Sequence, residues 1–462
     1  MTENGAAGGD GPHLIRALGL GDCVLYVAGS IIGTGIYLSV GNVFRKVPHP
    51  ALLVALWILG GLHAFAAGLT YAELGARRPT AGGPYVYLSE TFGRLWGFLC
   101  MWALVFVVMP GAVAILSTGF AEFLGAFFPS IGTDVPAFAL PGLAISQGQL
   151  VAVGTGFAFS IWNILGIREG GRLNDVLTVV KIGSILLLVV LGLSSARASL
   201  PSFSLPPLSA ALVVPAGGAL AGILWAYDGW INISALGAEV KNPKRDIPGG
   251  LVVGVLLVVA LYLAVNGVYL GAAPAPTLGA SPRAAETAVR ILFGEGGARW
   301  LSLAVLLAVL GSLAANIIPG PRISYAAALD GRLPRPFAWV HPRFATPAFG
   351  LMFQGLFAAA LTLSGRFDEL VSTVSFAATA FYALGGAAIF VYRKREPSAP
   401  WTMPGYPWVP LFYVTISALF TAAIALDAPG DAAKGLVILA AGVAAYLWGE
   451  RRRRRAPSAP RD

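Results

Sequence analysis

Residues 216–248 read AGGALAGILWAYDGWINISALGAEVKNPKRDIP, and their reading decides the fold. Gly217 to Ala226 is apolar enough to lie in hydrocarbon; Tyr227, Asp228 and Gly229 then interrupt, and Trp230 to Leu236 resumes a helical pattern. An ionised carboxylate inside a membrane span is costly unless it faces protein or water. Backbone that leaves the helix at that depth is tolerated only where it lines a cavity or is buried in protein. The segment therefore predicts a membrane helix broken in its middle, with bare amides and carbonyls turned to a small polar solute.

Composition points the same way. The chain has 462 residues, a mean hydropathy of +0.74, 56% hydrophobic residues and 11% charged ones. A soluble domain carries roughly 25% charged residues. Long apolar runs such as Ile185 to Leu193 and Leu251 to Val265 predict helices and not a barrel. At about 20 residues per crossing, about twelve spans fit. They are 17–44, 50–75, 95–125, 147–166, 173–195, 213–238, 248–272, 298–328, 346–364, 368–392, 407–427 and 433–450. The opening MTENGAAGGDG lacks the basic stretch and cleavage site of a signal peptide, so the first span is expected to stay in the membrane. Cys23 and Cys100 both fall in predicted spans, which argues against a disulfide framework.

With the amino terminus in the cytoplasm, 21 of the 31 Lys and Arg residues fall in inner segments and 8 in outer ones, with Lys181 and Arg322 inside spans. That bias predicts a multi-pass protein of the cell membrane with both termini cytoplasmic. The net charge of +9 is then a topology signal. The terminal run Arg451 to Arg455 obeys the same rule and can attract anionic lipid; no nucleic-acid partner is expected.

The first span holds a second candidate break, since Gly33, Thr34 and Gly35 sit near its middle. Glycine destabilises a helix and lets a ligand approach the backbone. Gly29 and Gly33 also make a small-xxx-small face, for which helix packing is the alternative explanation. Two discontinuous helices five spans apart predict two inverted five-helix repeats. The expected organisation is a cytoplasmic tail over 1–16, repeats over 17–195 and 213–392, two further helices over 407–450 and a basic tail over 451–462.

Lys181 lies seven residues beyond Asn174, about 10 Å into the bilayer at 1.5 Å per residue. Its ammonium is predicted to turn inward, to carbonyls or a carboxylate, in a functional or a structural tie. Between spans two and three, ARRPTAGGPYVYLSETFG predicts an ordered loop or interfacial helix, serving as an inner gate or an aromatic anchor. Pro319, Gly320 and Pro321 should kink or interrupt the eighth span. Arg322 and Asp330 read as structural partners or gate charges, and His63 as a satisfied core histidine or a proton relay. No HExxH and no nucleophile–base arrangement occurs in the spans, so an enzyme is not expected, and no metal or cofactor site is suggested.

The motifs GSIIGTGIY at 29–37, PTAGGPY at 79–85, WAYDGW at 225–230, EVKNPKRDIP at 239–248, and GPR at 320–322 with Asp330-Gly331 occur in this order. Together they resemble the amino acid–polyamine–organocation (APC) superfamily over nearly the whole chain. Lys181 and WAYDGW resemble its branch of L-type amino-acid transporters and their bacterial relatives. The resemblance implies the all-α LeuT-type fold, with helices one and six discontinuous, and a sodium-independent secondary carrier of L-amino acids working by alternating access. It implies that amides around Gly33, Thr34 and Gly35 hold the substrate α-carboxylate, as helix N-termini hold anions. It implies carbonyls of Ile31, Trp225, Ala226 and Asp228 for the α-ammonium, and Trp225 closing over the substrate from outside. Lys181 matches a fifth-helix lysine that takes the place of a sodium site and links helix five to the first break.

Thr34 stands where serine is common in that family, and Ile231 where asparagine often follows the second tryptophan. No cysteine falls in a predicted outer loop, so no disulfide-linked heavy chain is expected. Few acidic residues besides Asp228 lie near the expected pocket, which points to neutral substrates, carried by exchange or with proton coupling through Lys181. A cationic amino-acid or polyamine carrier with Asp228 facing the cation is the alternative within the class. A non-transporting receptor or scaffold is the alternative outside it.

Overall fold

A computed structural model describes residues 14–140, 143–195, 212–281, 283–364 and 367–455. Residues 1–13 of the expected amino-terminal tail and 456–462 of the basic tail lie outside the described residues. Nine helices among the described residues are long and apolar enough to cross a membrane, and Val214–Tyr227 and Ala348–Ser364 are shorter apolar helices. Gln147–Ile164 supplies the fourth of the twelve expected spans. The chain is an all-α polytopic membrane protein of LeuT type.

The breaks fall where the glycines and the aspartate predict them. The first span is helical over Leu20–Ile31, unwinds through Ile32 to Thr34, and resumes as a π-turn over Gly35–Ser39 that runs into Val40–Lys46. The sixth span is helical over Val213–Tyr227; Asp228 is then extended and Gly229 takes φ 112°. Its second half is shorter than Trp230 to Leu236. Helix covers Asn232–Ala235 only, followed by a 3-10 turn over Gly237–Glu239. The reason is backbone pairing with the loop after span two. Gly82 N donates to Ala235 O at 3.3 Å, Ala81 bridges Leu236, and a Cβ on Gly237 would lie 2.9 Å from the Pro79 carbonyl carbon. These partners replace the hydrogen bonds of a continued helix.

The eighth span also departs from expectation. It begins at Ala284 instead of 298 and bends at Gly294, where φ is 75°. Glu286, Arg290, Glu295 and Arg299 make its first turns too polar for a hydropathy window. Its far end is interrupted between Ile317 and Pro319, as the two prolines predict. The loop between spans two and three contains the helix Pro84–Thr91. An antiparallel hairpin, Pro136–Leu140 with Leu143–Ser146, precedes span four.

Spans one, two, six and seven pack against one another, and spans three, four, eight and nine form a second group. Span five lies against spans one and eight, and span ten against three, six and eleven. On one face, buried charges tie these groups together. Glu73, fully buried, accepts from Arg77 at 2.6 Å, Arg393 at 2.5 Å and the Met403 amide at 2.9 Å. Arg322 pairs with Glu239 at 2.8 Å, both buried, and Asp330 accepts from Tyr85 at 2.6 Å. Burial, and then the Asp330 contact, push the Tyr85 phenol above its usual range. Such networks hold only where every lone pair and proton is satisfied.

Candidate functional site

The two unwound segments cross main chain against main chain, and glycine is what permits it. A Cβ on Gly229 would stand 2.7 Å from the Ser30 carbonyl, and one on Gly35 would overlap Ala226. Gly33 faces Leu116 of span three and Ser312 of span eight. Gly29 is a packing glycine, because a Cβ there would meet Thr178 and Asn174 of span five. Packing thus explains Gly29, while the crossing explains Gly35 and Gly229.

Unwinding frees the last carbonyls of the first half-helix, and each has a partner. Lys181, wholly buried, donates to Gly29 O and to Ser312 Oγ, both at 2.8 Å. The lysine has turned to a carbonyl and a hydroxyl, not to a carboxylate. Ser312 in turn donates to Ile32 O. Asn316 donates to Ser30 O at 3.0 Å and accepts from Asn232 at 2.8 Å, joining both breaks through span eight. Tyr262 of span seven donates to Ile31 O at 3.1 Å. The amides of Thr34 and Gly35 donate to no backbone carbonyl outside the helices among the described residues, as expected for the first turn of a half-helix.

No motif in the sequence marks Ser312, Asn316 or Tyr262. Their signal was available: Ser312 and Asn316 are four apart on one face of an apolar span, where polar groups seldom lie without a partner.

A small pocket opens at the crossing, lined by Ile31, Gly33, Thr34, Gly35, Trp225 and Asp228, with Asn316 beside them. Ala226 is not on its wall; it is the residue that Gly35 packs against. Trp225 Nε1 reaches Thr34 Oγ1 at 3.4 Å, so the indole bridges the two breaks. His63 is a satisfied core histidine, with Nε2 at 2.7 Å from Ser417 Oγ. Cys23 and Cys100 are buried free thiols.

Amides at the start of one half-helix, carbonyls ending two others, and a small pocket between them suit a zwitterion. A family model described as amino acid permease matches residues 18–447. The chain belongs to that family. The permease is 30% identical over 421 residues to the serine/threonine exchanger SteT of Bacillus subtilis (strain 168), covering 88% of this chain and 92% of the relative. It is 28% identical to the human b(0,+)-type amino acid transporter 1, over 90% and 84% of the two chains. It is 26% identical to the rabbit (Oryctolagus cuniculus) large neutral amino acids transporter small subunit 2, over 96% and 82%. The permease is therefore an amino acid transporter and not an enzyme.

Proposed function

We propose that the permease is a sodium-independent exchanger of neutral L-amino acids in the cell membrane, working by alternating access between two faces. The face carrying Arg77, Arg322 and Arg393 is taken as cytoplasmic, with both termini on that side, and residues 17–195 and 213–392 as the two repeats. The α-carboxylate sits on the amides of Gly33, Thr34 and Gly35, and the α-ammonium on the carbonyls of Ile31, Trp225, Ala226 and Asp228. Trp225 closes over the substrate. Ile31 O already accepts from Tyr262, and its second lone pair serves the ammonium. The observation that carries the reading is the crossing itself, two bared main chains around one small cavity.

Sodium independence follows from Lys181. Its ammonium occupies the space between Gly29 O and Ser312 Oγ, where a cation would otherwise be coordinated. A resident positive charge there repels a second one. Exchange is favoured over a scaffold role by the cavity, and by the exchanger among the relatives.

Counterflow in proteoliposomes tests the reading. Labelled alanine or serine should accumulate against an internal pool of the same amino acid, equally in sodium and in choline buffers. Excess arginine or putrescine should compete weakly. Sodium-dependent flux, binding without flux, or strong competition by putrescine would each reject it.

A further inference from the structure

Three arginines from distant parts of the chain meet around one carboxylate near the end of span twelve. Arg332, just past the helix Pro319–Leu329, donates to Glu450 at 2.5 Å, and its guanidinium lies 5.8 Å from the centre of the Tyr446 ring. The Arg332 side chain is only 9% exposed. Arg453 stands farther from Glu450, at 3.5 Å, and also donates to the Gly331 carbonyl. Arg94, the exposed first residue of the helix Arg94–Ala103, adds its field to the same carboxylate. Spans three and twelve pack together here.

The charges do not balance. Arg332 neutralises Glu450, and the neighbouring acid Asp330 is engaged by Tyr85. Arg94 and Arg453 are therefore surplus positive charge, and Arg451 beside them is exposed as well. Topology alone asks for basic residues near the ends of spans, in no particular arrangement. It does not require cations from three separate elements to meet.

The flank of this cluster is apolar. Trp96, two residues after Arg94, and Leu447 and Trp448, just before Glu450, are all exposed. Exposed tryptophan at the end of a span belongs at the headgroup boundary of a bilayer. A free phosphate ion would use the cations alone. A phospholipid uses both surfaces, with its phosphate on the guanidinium groups and its chains along the indoles.

We propose that Arg94 and Arg453, positioned by the Arg332–Glu450 pair, form a binding site for the phosphate of an anionic glycerophospholipid between the ends of spans three and twelve. The bound headgroup ties span three to span twelve and, through the Arg453 contact with Gly331, to the end of span eight. The inference goes beyond the transport reading and does not depend on which amino acid is carried.

Titration of the detergent-purified full-length protein with phosphatidylglycerol, read as a rise in melting temperature, tests the site. Phosphatidylglycerol should raise the melting of the wild type, whereas phosphatidylcholine and inorganic phosphate should not. Arg94→Gln combined with Arg453→Gln should weaken binding by about fivefold for each charge removed, about 25-fold together. Lys244→Gln with Arg245→Gln, two exposed charges at the start of span seven, is the charge-matched control and should lose little. Glu450→Gln removes the competing anion and should tighten binding severalfold, a gain that a merely structural ion pair does not produce. Melting in phosphatidylcholine alone shows that each variant is folded, and the arginine pair decides the question where Glu450→Gln is not. Equal losses in the two double variants would mean diffuse surface attraction and overturn the site. A rise in melting with inorganic phosphate equal to that with phosphatidylglycerol overturns the lipid assignment. No rise with phosphatidylglycerol overturns the proposal outright and leaves the transporter reading intact.

Discussion

Substituting Gly229 by alanine probes the crossing directly. Two penalties add. At φ 112° a residue with a side chain is strained, by about 1–3 kcal/mol. The new methyl would also lie 2.7 Å from the carbonyl carbon and oxygen of Ser30 and 3.0 Å from the Ile31 amide. These are backbone atoms that cannot rotate away, and overpacking of this kind costs about 1–3 kcal/mol. Together they make about 2–6 kcal/mol, a large share of the roughly 5–15 kcal/mol that holds a typical fold. The alternative is for the two segments to separate from 2.7 Å to ordinary contact at 3.4 Å, an opening of about 0.7 Å. A displacement near 1 Å at a reacting or binding constellation is worth about a hundredfold in rate, so exchange should fall by one to two orders of magnitude. The control is Gly267→Ala on span seven, where a Cβ meets nothing within 4 Å; alanine there should be neutral or stabilising by about 0.5–1 kcal/mol. Both variants are to be followed by thermal unfolding of detergent-purified protein and by counterflow. Wild-type melting and wild-type exchange in Gly229→Ala would refute the claim that the breaks touch main chain to main chain.

Lys181→Ala should lose most exchange in liposomes, since Gly29 O and Ser312 Oγ lose their shared donor; uptake and pH dependence like the wild type would remove Lys181 from the mechanism. Arg322→Ala leaves the Glu239 carboxylate buried and uncompensated, and should destabilise by about 3–5 kcal/mol. Replacing both partners by apolar residues should recover much of that in the same melting assay, and no recovery would mean the pair does more than balance charge. Asp427→Asn breaks the Lys46–Asp427 pair, whose side chains are 27% and 20% exposed; a loss no larger than about 1 kcal/mol is expected. A bigger drop in melting would show that this contact holds span eleven to the end of span one.

Local chemistry made much of the architecture legible. Apolar runs near bilayer length locate helices because lipid offers no partner for a bare backbone. The positions of both breaks follow from Gly33-Thr34-Gly35 and Asp228-Gly229, residues that disfavour helix or cannot sit in hydrocarbon unaided. Lys181 could be singled out because a charge at that depth needs a partner, although nothing in the chain said which. Span eight starts earlier than its hydropathy suggests for a related reason: Glu286 is held by Arg283 at 2.8 Å and Arg290 at 2.5 Å, and neutralised pairs pass where single charges do not.

What the sequence determined by itself was therefore the class of molecule, the number of crossings and the two places where helix gives way. These depend on one residue and its neighbours meeting water or lipid. Only the tertiary structure decided that Ser312, Asn316 and Tyr262 claim the freed carbonyls, and that Gly229 lies on Ser30 and Gly35 on Ala226. Those contacts join residues up to 286 positions apart. A hydrogen bond or a close approach is set by where two helices cross in space, and separation along the chain carries no record of that crossing.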